Sequence, residues 1–316
     1  MTSASQVDIV VVSYNTHDLL RGCLESLASE PSRSIRVVDS GSSDRSAELV
    51  EREFPSVELL TVPNRGFGAA ANRGIAAGDA AYVLLLNADT SCRPGAVDSL
   101  ARYLAARPAV GLVGPRLVDP DGTLQPSCFR FLTPAAAAVT MTGLSATTAR
   151  LPVVRRAHPP SWSHDRPRRA DWVKGAAIMF RREALTETGG FDESFFMYGE
   201  ELDLCYRLRR QGWESHFTPS ATVVHVDGAS SGGDRARIDV QVYASLMRFY
   251  RKHYSRTRLL ELRALISALM LLRIARDAAL LAGADPARRR ELGGRVRAWR
   301  QILAMAVVAR ATTGPA

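Results

Sequence analysis

Three carboxylates fall within four positions in Gly199-Glu200-Glu201-Leu202-Asp203, directly behind the aromatic run Phe195-Phe196-Met197-Tyr198. Acidic side chains at a helix start are favoured by the helix dipole, so one reading is a solvated first turn. The other is a general base carried on a rigid element. A distant segment has complementary chemistry: the apolar run Leu84-Leu85-Leu86 ends in Asn87-Ala88-Asp89-Thr90. A lone carboxylate where a buried strand emerges suits a hard divalent cation such as Mg²⁺ or Mn²⁺. Such ions bind through one or two carboxylates and take their remaining oxygens from substrate phosphates and water.

Strand and helix signals alternate through the first part of the chain. Val7–Tyr14 is a valine-rich run of the kind buried on both faces, and Asn15 or Thr16 then caps a helix through Leu27. Further strands are expected at Ile35–Asp39, Val57–Val62, Tyr82–Asn87 and Val110–Pro115, with helices between them. This rhythm predicts an α/β domain with right-handed crossovers and a mostly parallel central sheet flanked by helices. Ligands in such sheets bind beyond the C-terminal ends of the strands. Four segments fall there: Ser13-Tyr14-Asn15, Asp39-Ser40-Gly41-Ser42, Asn64-Arg65-Gly66 and Asn87-Ala88-Asp89. Asp39 could accept from a base imide N–H and Arg65 could meet phosphate, although Asp and Asn are also ordinary helix caps. Neither G-x-G-x-x-G nor G-x-x-x-x-G-K-[ST] occurs, which disfavours a dinucleotide fold or a P-loop.

Beyond Asp119-Pro120-Asp121-Gly122, a turn signal, residues 130–170 lack periodicity and read as a flap. Order returns with a strand over Trp172–Phe180, a helix from Glu183, the acidic helix 200–211 and a strand near Ala221–His225. From about Asp239 the chain reads as helical, interrupted around Gly283–Pro286.

Charge separates the two ends. Residues 1–234 hold 24 Lys+Arg against 27 Asp+Glu, whereas residues 235–316 hold 17 against 5. A basic tail implies an anionic partner, nucleic acid or membrane. Its longest uncharged run, Ala264–Leu272, is far short of the roughly 20 residues of a membrane span. Leu259, Leu262, Ile266 and Leu269 with Arg263, Arg273 and Arg276 instead suggest apolar and basic helix faces, packed on protein or lying on anionic lipid. The tail has few aromatics and no nucleic-acid module, so nucleic acid is not expected as a partner. The four cysteines lack metal-type spacing and read as buried free thiols. No basic-then-apolar leader precedes Val7, which points to the cytoplasm.

The segments V-D-I-V-V-V-S-Y-N, R-V-V-D-S-G-S-S-D-R-S, N-R-G-F-G-A-A-A-N-R-G, Y-V-L-L-L-N-A-D-T and F-F-M-Y-G-E-E-L-D-L-C-Y-R-L-R-R-Q-G-W occur in that order. Together they resemble family 2 glycosyltransferases of the GT-A fold, nearest the bacterial rhamnosyltransferase-like branch, over roughly residues 7–232. The resemblance implies a nucleotide-diphospho-sugar transferase domain over 1–234, with a nucleotide-binding half to about 115 and an acceptor half from about 116; the helical pattern beyond it marks 235–316 as a basic amphipathic appendage. It implies that Ser13, Tyr14, Asn15, Asp39, Ser40, Gly41, Asn64, Arg65, Gly66 and Asn87 line the nucleotide. Asp89 would hold the metal, joined by His225. Glu201 would be the catalytic base with Glu200 as its rival, and Trp172, Lys174 and Gly175 would border the acceptor. Three positions depart from the family pattern: Ser40 replaces the usual Asn, Asn87 replaces the first acid of D-x-D, and Glu201 replaces the usual Asp.

The resulting expectation is an inverting, metal-dependent transferase at the inner face of the membrane. It would use dTDP-L-rhamnose and a polyprenyl-diphosphate-linked glycan. Alternatives are galactofuranosyl or N-acetylhexosaminyl transfer from UDP-sugars, or a nucleotide-sugar-binding protein that has lost catalysis. Lys174 and the arginines at 150, 155, 156, 166, 168 and 169 could face an acceptor diphosphate or form a solvated basic loop. A homo-oligomer is left open.

Overall fold

A computed structural model describes residues 7–28, 34–134, 137, 164–226 and 235–308. The chain forms two compact units, residues 1–130 with 161–233, and residues 131–160 with 234–316. Most of the expected flap, including Arg150, Arg155 and Arg156, lies outside the described residues.

The first unit begins with β1 (Val7–Ser13), α1 (His17–Leu27), β2 (Ser34–Asp39), α2 (Ser46–Glu53), β3 (Glu58–Thr61), α3 (Phe67–Ala76) and β4 (Tyr82–Asn87). It continues with β5 (Thr90–Cys92), α4 (Ala96–Ala105), β6 (Val110–Val118), β7 (Leu124–Gln125), β8 (Cys128–Phe129), β9 (Arg168–Ala170) and β10 (Trp172–Val173). It closes with β11 (Ala177–Arg181), α5 (Arg182–Thr188), α6 (Glu200–Arg210) and β12 (Glu214–His225). The main sheet runs β3-β2-β1-β4-β11-β6-β12-β5. β3, β2, β1 and β4 are mutually parallel, as are β6 and β12, whereas β11 and β5 run against their neighbours.

Every residue of β1 is buried, and β4 is buried from Tyr82 to Leu86. That is why both strands are largely apolar, Asp8 and Ser13 apart: helices cover each face of a parallel sheet. Leu20, Leu24 and Leu27 of α1 and Leu100 and Leu104 of α4 fill one side of the core. At the N-terminal strand ends, buried Asp8 takes Arg36 Nη1 at 3.2 Å and Arg182 Nη2 at 2.6 Å. Arg182 also donates to the carbonyls of Ile75 and Ala80, tying the β11–α5 junction to the sheet. All four cysteines are free and buried. Burial raises the thiols of Cys23, Cys128 and Cys205 to about 12, so they behave as small apolar groups.

Three elements differ from the sequence expectation. The strand expected over Trp172–Phe180 is two strands, because Lys174-Gly175-Ala176 turns between β10 and β11. β12 is longer than expected: it starts at Glu214 and crosses an irregularity between Thr218 and Thr222, around Pro219, before reaching His225. The three-residue β5 carries no sequence signal, yet it pairs Thr90 with His225.

The second unit contains α7 (Arg235–His253), α8 (Arg256–Leu281) and α9 (Pro286–Val307). Ser255 Oγ accepts from Arg258 N at 3.3 Å and starts α8, a break the sequence reading passed over. Asp285 caps α9 ahead of Pro286, as the interruption near Gly283–Pro286 predicts. Buried Asp277 gathers Arg276, Arg295 and Trp299 Nε1 around its carboxylate, joining α8 to α9. No helix among the described residues is long and apolar enough to cross a membrane.

Candidate active site

The pairings Ser13↔Asp39 and Val12↔Asn87 put the ends of β2, β1 and β4 side by side. With strands about 4.8 Å apart, these residues share one rim. Asp39 is 1% exposed; its Oδ1 accepts from Gly41 N at 3.0 Å and Ser42 N at 2.9 Å. Its Oδ2 is buried and has no hydrogen-bond partner among the described residues, and neither has Asn87 Oδ1. Buried acceptors without donors are costly, and both sit where the sequence predicts nucleotide contacts. Ser13 is buried against Thr16, and its carbonyl accepts from Ser40 N at 2.9 Å. Asn15 Oδ1 accepts from Ser43 N at 2.8 Å, and Asn15 N donates to Ser42 Oγ. The turns after β1 and β2 are thus tied together. Tyr14 is 43% exposed, and Arg65 is exposed as well.

Asp89 and His225, 136 positions apart, meet through the β5–β12 pairing and a bond from Val226 N to Asp89 O at 2.9 Å. Both are 3% exposed, and His225 Nε2 lies 3.5 Å from Asp89 Oδ1. On its other side, His225 Nδ1 is 2.9 Å from Gln125 Oε1. No group of three His, Cys, Asp or Glu able to hold a metal occurs among the described residues. A carboxylate and an imidazole nevertheless fit a divalent ion completed by diphosphate oxygens and water.

The acidic helix begins beside Gly175 and Gly68. Glu201 at the start of α6 is half-buried, and its Oε2 accepts from Gly199 N at 3.1 Å. A Cβ built on Gly175 would lie 3.6 Å from Glu201 Oε1, so that glycine forms the floor beneath the carboxylate. Burial raises the Glu201 carboxyl, with backbone N–H groups, Gly199 and Gly175 among them, acting in the opposite sense. Glu200 is 6% exposed, and its Oε2 is buried with no hydrogen-bond partner among the described residues. Burial first, and the neighbouring Glu201 charge second, raise Glu200 well above the ordinary carboxylate range. Asp203 is fully buried and grips Arg207 Nε at 2.7 Å, which makes it a brace of the helix.

The Lys174-Gly175-Ala176 turn joins these pieces. Lys174 Nζ reaches Gln125 Oε1 at 3.4 Å, Gly175 underlies Glu201, and Ala176 O accepts from Asn87 N at 2.9 Å. Trp172 stacks on Phe129 with ring centroids 4.4 Å apart and donates from Nε1 to Arg130 O.

Two supporting residues escaped the sequence reading. Asn72 on α3 accepts from Phe191 N and donates to Phe191 O, both at 2.9 Å, and donates to Glu193 Oε1 at 3.0 Å. It clamps the loop that leads into α6. The available signal was an amide on an otherwise Ala/Gly-rich helix. Gln125 had no comparable signal. Gly66, expected at the nucleotide, also has a packing role: with φ at +105° it lets Phe196 O approach, and Phe67 N donates to that oxygen at 2.9 Å.

A mostly parallel sheet covered by helices, with its carboxylates collected beyond the strand ends, is the architecture of a GT-A glycosyltransferase. The chain belongs to the glycosyltransferase-like family 2, whose pattern it matches over residues 5–244, and it is a hexosyltransferase. It is similar to the N-acetylglucosaminyl-diphospho-decaprenol L-rhamnosyltransferase of Mycobacterium tuberculosis, 35% identical over 246 residues covering 72% of this chain and 78% of that protein. It is also similar to the pre-mycofactocin glycosyltransferase of the same organism, 32% identical over 228 residues covering 71% of this chain but 43% of that protein. Among solved structures, the mannosyltransferase PcManGT from Pyrobaculum calidifontis, in complex with GDP-Man and Mn²⁺, gives a TM-score of 0.53 at 17% identity. That match covers 98% of this chain and 89% of the other. At such low identity the likeness speaks to the fold alone.

Proposed function

We propose that this enzyme is an inverting, metal-dependent transferase that moves L-rhamnose from dTDP-L-rhamnose onto a polyprenyl-diphosphate-linked glycan during cell-wall or surface polysaccharide synthesis. The observation that carries the chemistry is the 174–176 turn, which links the floor under Glu201 to Asn87 at the Asp89 strand end. The choice of sugar and acceptor leans on the rhamnosyltransferase likeness.

In this reading Asp39 Oδ2 accepts from the pyrimidine imide N–H, and the turns after β1 and β2 shape the nucleoside pocket. Asp89 Oδ1 and His225 Nε2 would hold a divalent cation, which when bound neutralises the leaving diphosphate. Glu201 takes the proton of the acceptor hydroxyl as that oxygen attacks the anomeric carbon. The anomeric bond to diphosphate breaks in the same displacement, so the configuration inverts. The basic segment 235–316 holds the enzyme on the anionic inner face of the membrane, where a lipid-linked acceptor resides.

A donor screen tests the proposal. Nucleotide sugars are supplied with Mg²⁺ or Mn²⁺, and nucleoside diphosphate release is read with and without a polyprenyl-diphosphate-N-acetylglucosamine acceptor. Acceptor-stimulated release from dTDP-L-rhamnose, abolished by chelator, is expected. Preferential turnover of a UDP-sugar overturns the donor assignment. No release from any donor overturns catalysis.

A further inference from the structure

We propose that Gln125 is a positioning residue that fixes the tautomer of His225 and so presents Nε2 as the metal-facing nitrogen. The inference rests on the metal role proposed above for Asp89 and His225.

It begins with the Asp119-Pro120-Asp121-Gly122 turn. Gly122 N donates to Asp119 O at 2.8 Å, and the hairpin it closes returns as β7, pairing Gln125 with Leu117 of β6. Gln125 is consequently 6% exposed, with its amide held between two strands.

The hydrogen-bond partners then determine which amide atom is which. Nε2 lies 2.6 Å from Asp119 Oδ1 and 2.8 Å from the His225 carbonyl oxygen. Both are pure acceptors, so the atom between them must be the NH₂ group. Oε1 is therefore left facing Lys174 Nζ at 3.4 Å and His225 Nδ1 at 2.9 Å. Lys174 is a donor and places no proton demand on Oε1. His225 Nδ1 must accordingly carry the hydrogen. In the neutral imidazole the second nitrogen is then an acceptor, and that nitrogen, Nε2, stands 3.5 Å from Asp89 Oδ1. Two acceptors held side by side in a buried setting form a seat for a cation.

Such arrangements are a known physical requirement of histidine ligands: a hydrogen bond on one nitrogen sets the availability of the other. Here the same glutamine also reads the backbone of the residue it orients, through the His225 carbonyl. It thereby fixes the ring and the strand end together. Lys174, expected to border the acceptor, touches this amide as well. The histidine support and the acceptor-side turn thus share one side chain.

The experiment uses the full chain. First, ¹⁵N-histidine correlation spectra of the metal-free protein at about pH 8 report which nitrogen of His225 is protonated, with the signal assigned by its loss in His225→Ala. The proton is expected on Nδ1 in the wild type and redistributed toward Nε2 in Gln125→Met. A wild-type proton on Nε2 overturns the proposal whether or not any variant folds. Second, Mn²⁺ affinity in the presence of dTDP is read by the electron paramagnetic resonance of free Mn²⁺. Gln125→Met is expected to weaken it about 10–100-fold, the usual effect of removing such a support. If Asp89→Ala and His225→Ala leave Mn²⁺ affinity unchanged, the underlying metal assignment fails. If those two weaken it and Gln125→Met does not, the metal assignment stands and the role of Gln125 is wrong.

Discussion

Adjacent glutamates at the start of α6 occupy different environments, and the difference is measurable. Successive helix positions point about 100° apart; Glu201 faces the Gly175 floor, whereas Glu200 turns into the protein with one oxygen that has no partner among the described residues. Glu201→Gln keeps the shape but cannot take a proton, so kcat should fall about 10²–10⁴-fold with donor affinity little changed. Glu200→Gln should cost much less, and the reverse pattern would exchange their roles. Glu200 also carries a stability signature. Its folded carboxyl is raised above the unfolded value of about 4.3. Its contribution to stability is therefore fully present below that value and is lost as pH rises toward the folded one. The melting temperature of Glu200→Gln relative to wild type should climb across that window. A pH-independent difference would contradict the raised carboxyl. These residues, with Asp39 and Asp89, were legible in sequence because carboxylates at strand and helix ends stand out against apolar runs. Gln125 was not, since its partner His225 lies 100 positions away and a lone glutamine beside a turn has no spacing to betray it.

The elements that hold α6 in place are α3 and the loop from Gly190 to Gly199. A Cβ on Gly66 would sit 2.2 Å from Phe196 O, and the φ of +105° strains any other residue by about 1–3 kcal/mol even before that clash. Gly66→Ala should therefore lower the melting temperature and loosen the loop, seen as faster hydrogen exchange over 190–199. Asn72→Ala removes three hydrogen bonds to the same loop while leaving α3 a good helix former. It should depress kcat more than it changes donor affinity. An Asn72→Ala enzyme with normal kcat would mean that the loop needs no clamp. At this scale sequence legibility followed burial. Strands such as β1 and β4 read clearly because both faces are covered. The first half of β12 did not, because Ser215, His216 and Thr218 lack apolar alternation and are recruited by β6, with Ser215 and His216 also pairing β9, tertiary partners that local pattern does not encode.

For the whole molecule the decisive asymmetry is charge. Residues 235–316 carry 17 Lys+Arg against 5 Asp+Glu, and the helices there do not bury all their apolar surface. Leu262, Ile266 and Met270 of α8 are buried, as its periodicity suggests, but Leu260, Leu265, Leu271, Leu272 and Leu280 are exposed, Leu272 by 70%. Arg258 and Arg276 are exposed on the same helix. Exposed leucines and exposed arginines on one helix match a helix lying in a lipid interface, where leucine enters the acyl boundary and guanidinium meets phosphate. The sequence disclosed the two chemistries but not which leucines face outward, since that depends on how α8 and α9 pack. The full chain should sediment with anionic vesicles, and binding should decline with salt because exposed charges are screened over about 8–10 Å at moderate ionic strength. Replacing Leu271 and Leu272 together by Glu should weaken binding at every salt concentration. Melting temperature should change little, because neither side chain is in the core. Equal sedimentation with neutral and anionic vesicles would remove the electrostatic part. If the double variant instead converted an oligomer to a monomer and left vesicle binding intact, this face would be an interface between copies of the chain rather than a membrane surface.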